Sequence, residues 1–306
     1  MQSLITILGP TASGKSDLAI QLAKQFDGEI ISADSRQIYR DFDIGSGKIT
    51  PNQFSIVPHH MLNIRDIWQD FNVSEFQNET THILQDLEKH NILPFLVGGT
   101  GLYIESIIHN YSFPSIKPNK ELREKLSHYS KEELQKELVS LNSNHNLNNS
   151  DWNNPIRLIR AIEIIHSPRE SASTPLDSPE YNTLIIGLNN SLSHIKKKII
   201  QRVDNRLRMG AIEEVKSIIT ILDTHLGIEA REIKLQQLGL GSIAIAQYLN
   251  HNIDYEEMRR QYIESEYQYA RRQLTWFRRI PNIHWLEADS PTLLQDSNKL
   301  ISDFLQ

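Results

Sequence analysis

Gly9-Pro10-Thr11-Ala12-Ser13-Gly14-Lys15-Ser16 places two glycines, a lysine and a hydroxyl at the spacing G-x-x-x-x-G-K-S. The chemistry of that pattern is phosphate binding. Glycines allow backbone N–H groups to converge on phosphate oxygens, Lys15 reaches the outer phosphates, and the Ser16 hydroxyl is a ligand for Mg²⁺. A second chemical group is Asp34, followed by Ser35-Arg36-Gln37. A carboxylate near a phosphate site can bind a metal, cap a helix or serve as a general base. With Ser35 and Gln37 adjacent, this one could hydrogen-bond a nucleobase and take a proton from it. Gly98-Gly99-Thr100-Gly101 is a second glycine-rich turn, read either as functional or as tight helix–strand packing. A kinase-type protein would more typically end this strand in a metal-binding Asp. His59 and His60 are adjacent, which is poor spacing for one metal, and read as hydrogen-bonded structural histidines.

The elements that must position these groups alternate. Ser3 to Leu8 is a β-branched apolar run suited to a buried strand, and Asp17 to Gln25 has helical spacing. Strand, glycine-rich turn and helix N-terminus in that order aim N–H groups and a helix dipole at an anion. Residues 29–34 read as a second strand ending on Asp34, 74–90 as a helix capped by Ser74, and 91–97 as a third buried strand leading into a helix. This alternation predicts an α/β fold, a parallel sheet flanked by helices, with its site beyond the carboxyl ends of the strands. After Tyr111 the pattern changes. Pro114 and Pro118 mark a boundary, two short polar helices follow (the second opened by a Ser130-x-x-Glu133 capping box), and the asparagine-rich 142–154 reads as loop. Pro155 opens a helix over 156–166, and the Ser/Pro-rich 167–180 reads as a linker. The expected organisation is a core from 1–112 and 181–306, with a helical insertion at 113–180. Thr183 to Gly187 returns to the sheet. Beyond it the chain reads as mostly helical: one long helix from Ser193 to Leu222 carrying Arg202 and Arg206 one turn apart, and a last helix over 254–279. That last helix interleaves arginines with Tyr262, Tyr267, Tyr269, Trp276 and Phe277, a composition that fits RNA phosphates and stacked bases or a solvated basic face with buried aromatics.

The bulk properties are those of an ordinary soluble protein: 306 residues, 39% hydrophobic and 23% charged. A net charge of −6 argues against nonspecific coating of nucleic acid, although an average can hide a local basic face. The absence of cysteine excludes disulfides, thiolate zinc sites and cysteine nucleophiles. The residues before the phosphate loop lack a basic n-region, and no apolar run approaches membrane-spanning length. A cytoplasmic protein is expected.

Together these motifs resemble the tRNA dimethylallyltransferases, also called tRNA isopentenyltransferases, over nearly the whole chain. The resemblance rests on GPTASGKS at 9–16, ADSRQIY at 33–39, DIGSGK at 43–48, PHH at 58–60 and VGGTGLY at 97–103. Further on it rests on NPIRLIRAIEI at 154–164, RVD at 202–204, EEV at 213–215 and RRQLTWFR at 271–278. It implies a P-loop-type core with a helical insertion that closes on the anticodon arm of tRNA. It implies that the 9–16 loop grips the pyrophosphate of dimethylallyl diphosphate rather than ATP. The acceptor would be N6 of the adenine on the 3′ side of the anticodon, flipped into the enzyme. By the same resemblance Asp34 is the general base, and Lys15, Thr100, Arg123 and Arg202 are further active-site groups. Ser16 and Thr100 would face Mg²⁺. Contacts to tRNA would come from Asp34, Ser35, Arg36 and Gln37, and from Ile156, Arg157, Leu158, Ile159 and Arg160. Others would be Gln236, Gln237, Leu238, Gly239, Leu240 and Gly241, and finally Arg271, Arg272, Gln273, Leu274, Thr275, Trp276, Phe277 and Arg278. A monomer is implied. The chain departs from the family pattern at Ser46-Gly47, Ile156, Arg206 and Gly239-Leu240-Gly241. The competing readings are an ATP-dependent small-molecule or nucleoside kinase and a non-catalytic RNA-binding module.

Overall fold

Gln2–Leu8 forms the first strand (β1), buried from Leu4 onward, and Lys15–Gln25 the first helix (α1). The computed structural model describes residues 2–113, 116, 118–142, 147–167 and 181–306. Glu29–Ala33 (β2), Pro51–Phe54 (α2), His59–His60 (β3), Val73–Lys89 (α3), Pro94–Gly98 (β4) and Gly101–Ile108 (α4) follow. Four helices come next: Lys120–Ser127 (α5), Lys131–Leu141 (α6), Asn149–Trp152 (α7) and Pro155–His166 (α8). The chain then runs through Tyr181–Asn189 (β5), Leu192–Arg208 (α9), Ala211–His225 (α10), Ile228–Leu238 (α11) and Leu240–Leu249 (α12). It ends with Tyr255–Phe277 (α13), Ile283–Glu287 (β6) and Leu293–Phe304 (α14).

The six strands form one sheet in the order β3-β2-β4-β1-β5-β6, and every neighbouring pair is parallel. A parallel sheet must be covered on both faces, and β1 shows how its sequence meets that demand. Leu4 and Leu8 point into a core with Ile31, Leu96, Ile104 and Phe277, while Ile5 and Ile7 point into another with Leu22, Phe95 and Ile186. In the register Leu8 and Ala33 both align with Gly98. The loops after β1, β2 and β4 therefore leave the same edge of the sheet, side by side.

By their contacts the residues form two compact units, 1–110 with 178–306, and 111–177. In the second, Leu126, Leu134, Leu138, Leu158 and Ile162 make a separate small core. Beside it the buried Glu163 accepts from Nε and Nη2 of Arg123, each at 2.7 Å, from Arg160 at 3.0 Å and from the Asn119 N–H at 2.9 Å. The Ser130–Glu133 capping box is present, and Pro155 opens α8 behind an Asn154 cap.

Several expected boundaries move. The cap of α3 is Asn72, whose side chain accepts from the N–H groups of Ser74 and Glu75, so the helix starts earlier than a Ser74 cap requires. The long helix expected over 193–222 is two helices, because Gly210 takes φ 103° and turns the chain between α9 and α10. The helix ending at Phe277 is not the last element. β6 adds an edge strand paired with β5, and its weakly alternating, partly exposed side chains explain why it does not read as a strand. The asparagine-rich stretch contains the short α7. Residues 143–146, Pro114 and the 168–180 part of the expected linker lie outside the described residues. Among the described residues no helix is long and apolar enough to cross a membrane.

Candidate active site

The loops at the carboxyl edge of the sheet surround a cleft of about 570 Å³. Its floor is the 9–16 turn. Gly14 sits at φ 86° and Ala12 at φ 62°, which bends the chain sharply enough for Ser13 N–H to donate to Pro10 O at 3.2 Å and for α1 to begin at Lys15. Thr11 to Ser16 all line the cleft. The Ser13 hydroxyl is buried and has no hydrogen-bond partner among the described residues.

Six cations line the cleft, Lys15, Arg36, Lys48, Lys198, Arg202 and Arg206, together with four carboxylates, Asp17, Asp34, Asp43 and Glu266. Glu266, on α13, accepts from Arg36 at 3.2 Å and from Arg206 at 3.3 Å. Burial alone would raise its pKa, but Arg206, Arg36 and Arg202 outweigh that and hold it below the ordinary carboxylate range. Arg202 is not bonded to that carboxylate; Arg206 beside it, then burial, lower its pKa to about 10. Lys15 is lowered to about 8, burial being the main cause and Arg202 adding to it, against the opposing pull of Asp34. The cluster has more positive than negative charge in a poorly hydrated setting, and an anion placed there would relieve both lowered bases.

Asp34 follows β2 directly. Its Oδ1 accepts the Arg36 N–H at 2.9 Å, closing a side-chain turn that presents the carboxylate at the cleft. Thr100, just before α4, supports that turn: its Oγ1 accepts the Ser35 N–H at 3.1 Å and lies 3.4 Å from Ser35 Oγ. The Tyr269 ring lies under the Arg36 guanidinium at 4.7 Å. Gln273 joins the two glycine-rich turns, since its Oε1 accepts the Thr11 N–H at 2.8 Å and its Nε2 donates to Gly99 O at 2.9 Å. Gly99 and Gly101 are the places where α13 comes closest. A methyl group on either would fall within about 2.3 Å of Gln273 or Trp276, so the packing reading of that turn describes its glycines.

The expected site residues therefore separate. Lys15, Ser16, Asp34, Arg36, Gln37, Arg202 and Gln273 line one cleft. Thr100 is not among its lining residues. Its hydroxyl accepts from the Ser35 N–H and donates to Ser35 Oγ, which braces the Asp34 turn. Arg123 belongs to the helical unit and is bound there by Glu163. The expected RNA stretches also divide. Leu158, Leu238, Leu274 and Phe277 are buried in hydrophobic packing, and their side chains have no surface to offer RNA. Trp276 packs on Gly101 and donates to Glu105 at 2.9 Å rather than stacking with Arg272, whose guanidinium lies over Tyr269 at 5.8 Å. Exposed are Ile156, Arg157, Gln236, Gln237, Arg271, Arg272, Thr275 and Arg278, whereas Gly239 lies against the Arg36 guanidinium. His59 and His60 bond Val57 O and Glu29 Oε2 at 2.7 and 2.6 Å, as structural histidines do.

Among the cleft residues that the sequence reading does not name as site residues are Arg206, Glu266 and Tyr269. A signal is nonetheless present. Tyr262, Glu266, Tyr269 and Gln273 recur every three or four residues and so share one face of α13. The arginines between them belong to the opposite, exposed face and mask that spacing.

Among the described residues no group of three or more His, Asp or Glu could hold a metal ion alone. The Ser16 hydroxyl with phosphate oxygens and water does fit Mg²⁺, which favours hard oxygen ligands and keeps several of them from substrate and solvent.

Fold and cleft together define a class: a parallel α/β protein with a cation-rich pocket beyond the carboxyl ends of its strands, and a carboxylate set into that pocket. The particular family follows from comparison. The chain belongs to the IPP transferase family, whose model matches residues 37–280. It is 37% identical to a tRNA dimethylallyltransferase of Halothermothrix orenii, over 99% of this chain and 94% of that one. The crystal structure of a tRNA isopentenylpyrophosphate transferase from Bacillus halodurans superposes with a TM-score of 0.74 at 32% identity, covering 100% and 97% of the two chains. A eukaryotic dimethylallyltransferase acting on tRNA shares the fold with a TM-score of 0.80 at 24% identity, covering 99% of this chain and 80% of that one.

Proposed function

We propose that the protein transfers the dimethylallyl group of dimethylallyl diphosphate to N6 of the adenine 3′-adjacent to the anticodon in tRNA, releasing pyrophosphate. The observation that carries this reading is the cleft itself, in which Lys15, Arg202 and Arg206 gather positive charge beside the Asp34 carboxylate. In the reaction the allylic C–O bond breaks and its electron pair leaves on the diphosphate. A C–N bond forms to N6, and the amine proton passes to Asp34. Charge grows on the leaving group, so preorganised donors around it lower the barrier. The 9–16 N–H groups, Lys15 and the two guanidiniums are those donors, and Mg²⁺ held by Ser16 would supply further charge. An exocyclic adenine amine is a weak nucleophile, which is the reason for a carboxylate within reach. Flipping the base costs a few kcal/mol, less in a loop than in a duplex. On this reading the enzyme works in the cytoplasm as a monomer.

Incubation with labelled dimethylallyl diphosphate and bulk tRNA tests the reaction directly; label must appear on adenine N6 of the RNA. The kinase alternative requires tighter binding of ATP than of the allylic diphosphate, which titration calorimetry of both ligands decides.

The RNA face is tested separately. Arg271, Arg272, Thr275, Arg278 and Arg279 form an exposed stripe on and just beyond the C-terminal part of α13, away from the buried Gln273, Leu274 and Phe277. Arg271→Gln combined with Arg278→Gln should leave the fold intact and weaken tRNA binding. It should also make the log–log salt dependence shallower by about two units, one for each phosphate that an arginine no longer neutralises. An unchanged slope in the folded double variant would remove this stripe from the RNA face.

A further inference from the structure

Glu214 lies in the first turn of α10, and its carboxylate accepts three consecutive backbone N–H groups. Asp43 and Ile44 donate to Oε1 and Gly45 to Oε2, each at 2.7 Å. Hydrogen bonds to an ionised acceptor are short and roughly twice as strong as neutral ones, so three on one carboxylate anchor the 43–48 loop firmly to α10. That loop is a wall of the cleft, lined there by Ile44, Ser46 and Gly47. Gly47 lies directly against the two guanidiniums: a methyl group on it would come within 2.1 Å of Arg202 Nη2 and 2.6 Å of Arg206 Nη2. Its carbonyl accepts from Gln37 Nε2 at 3.3 Å, in the turn that carries Asp34. A continuous set of contacts thus runs from Glu214 through three amides and Gly47 to the cations and to the base.

The geometry points to Glu214 as a positioning residue that holds the 43–48 loop against Arg202 and Arg206 and so fixes the shape of the diphosphate pocket. This rests on reading the cleft as a diphosphate site. Without the carboxylate, three adjacent N–H groups lose their acceptor and the loop keeps only its bonds through Ser46, Gly47 and Lys48, so Gly47 is held less closely against the guanidiniums. Small misplacements of such groups are expensive, on the order of tenfold to a hundredfold in the interaction they make.

The test is calorimetric titration of inorganic pyrophosphate into the full chain carrying Glu214→Ala. Affinity is expected to fall by about tenfold or more. Added acetate, at constant ionic strength against a chloride control, should restore part of the loss in this variant and change nothing in the parent, because a free carboxylate can occupy the three vacated N–H groups. Glu214→Gln keeps one oxygen acceptor and serves if the alanine variant does not fold; its affinity should lie between parent and alanine, or below parent when it stands alone. Parent-like affinity in either folded variant overturns the proposal, as does an alanine defect that acetate leaves unmoved. Because the readout is pyrophosphate binding, a parent protein that transfers no dimethylallyl group to tRNA would overturn the reaction and leave the role of Glu214 standing.

Discussion

Asp34→Asn is expected to slow single-turnover transfer by about 10²–10⁴-fold, the contribution typical of a positioned general base, with pyrophosphate and tRNA affinity within a few-fold of the parent. The substitution isolates the proton-accepting role. Asparagine keeps the size of the side chain, and its Oδ1 can still accept the Arg36 N–H that closes the turn. What it cannot do at neutral pH is take the amine proton as the C–N bond forms. The two affinities must be measured beside the rate, since Asp34 also faces Lys15 electrostatically and its neutralisation changes the pocket charge. Near-normal turnover with both affinities preserved would reduce Asp34 to a residue that closes a turn.

Lys15→Met should produce two effects of opposite sign. Transfer falls by roughly 10²–10³-fold, the loss expected when one donor to developing charge is removed. The ligand-free protein, in contrast, should become more stable at pH 7. The folded-state pKa of Lys15 is about 8, against 10.5 for the free side chain, and burial is the main cause. Between those values the unfolded chain holds more protons than the folded one, so parent stability rises with pH from about 8 to 10.5. Below about pH 8 the parent bears the whole penalty of a buried ammonium, at most about 3 kcal/mol, with access to solvent through the open cleft making that a ceiling. Methionine removes this cost, so the stability gap should be widest at or below pH 8 and close toward pH 10.5. Urea unfolding at pH 7 and pH 10 measures it. Pyrophosphate should narrow the gap at pH 7, because it stabilises the charged lysine. A methionine variant less stable than the parent at pH 7 would mean that the Lys15 bond to Pro10 O at 3.4 Å outweighs burial.

Local chemistry made most of the α/β core readable along the chain. β1, the 9–16 turn and α1 are consecutive, and their order alone aims backbone donors at an anion. Asp34 at the end of β2 and Thr100 after β4 are legible for the same reason: parallel strands deliver their carboxyl ends to one edge. The elements that went unread have weak local signals. Gly210 breaks a helix inside an otherwise helical pattern, where a single glycine is normally tolerated. The edge strand β6 is only partly buried, so its side chains do not alternate cleanly.

The sequence by itself determined that this protein has a parallel α/β core, that a glycine-rich turn between β1 and α1 opens it, and that Lys15, Ser16 and Asp34 stand at the carboxyl edge of its sheet. Those features depend on neighbours within a few residues, where steric preference and periodicity act. Only the tertiary structure decided which arginines share the cleft and which long-range contacts hold it in shape. Glu266 reaches Arg36 across 230 positions and Arg206 across 60, Gln273 reaches Thr11 across 262, and Glu214 reaches the 43–45 amides across about 170. It also decided the fate of the 271–278 run, in which arginines at the surface alternate with Gln273, Leu274 and Phe277 in the interior. The physical reason is that a helix has two faces, and which of them meets the sheet is settled by packing against residues far away in the chain.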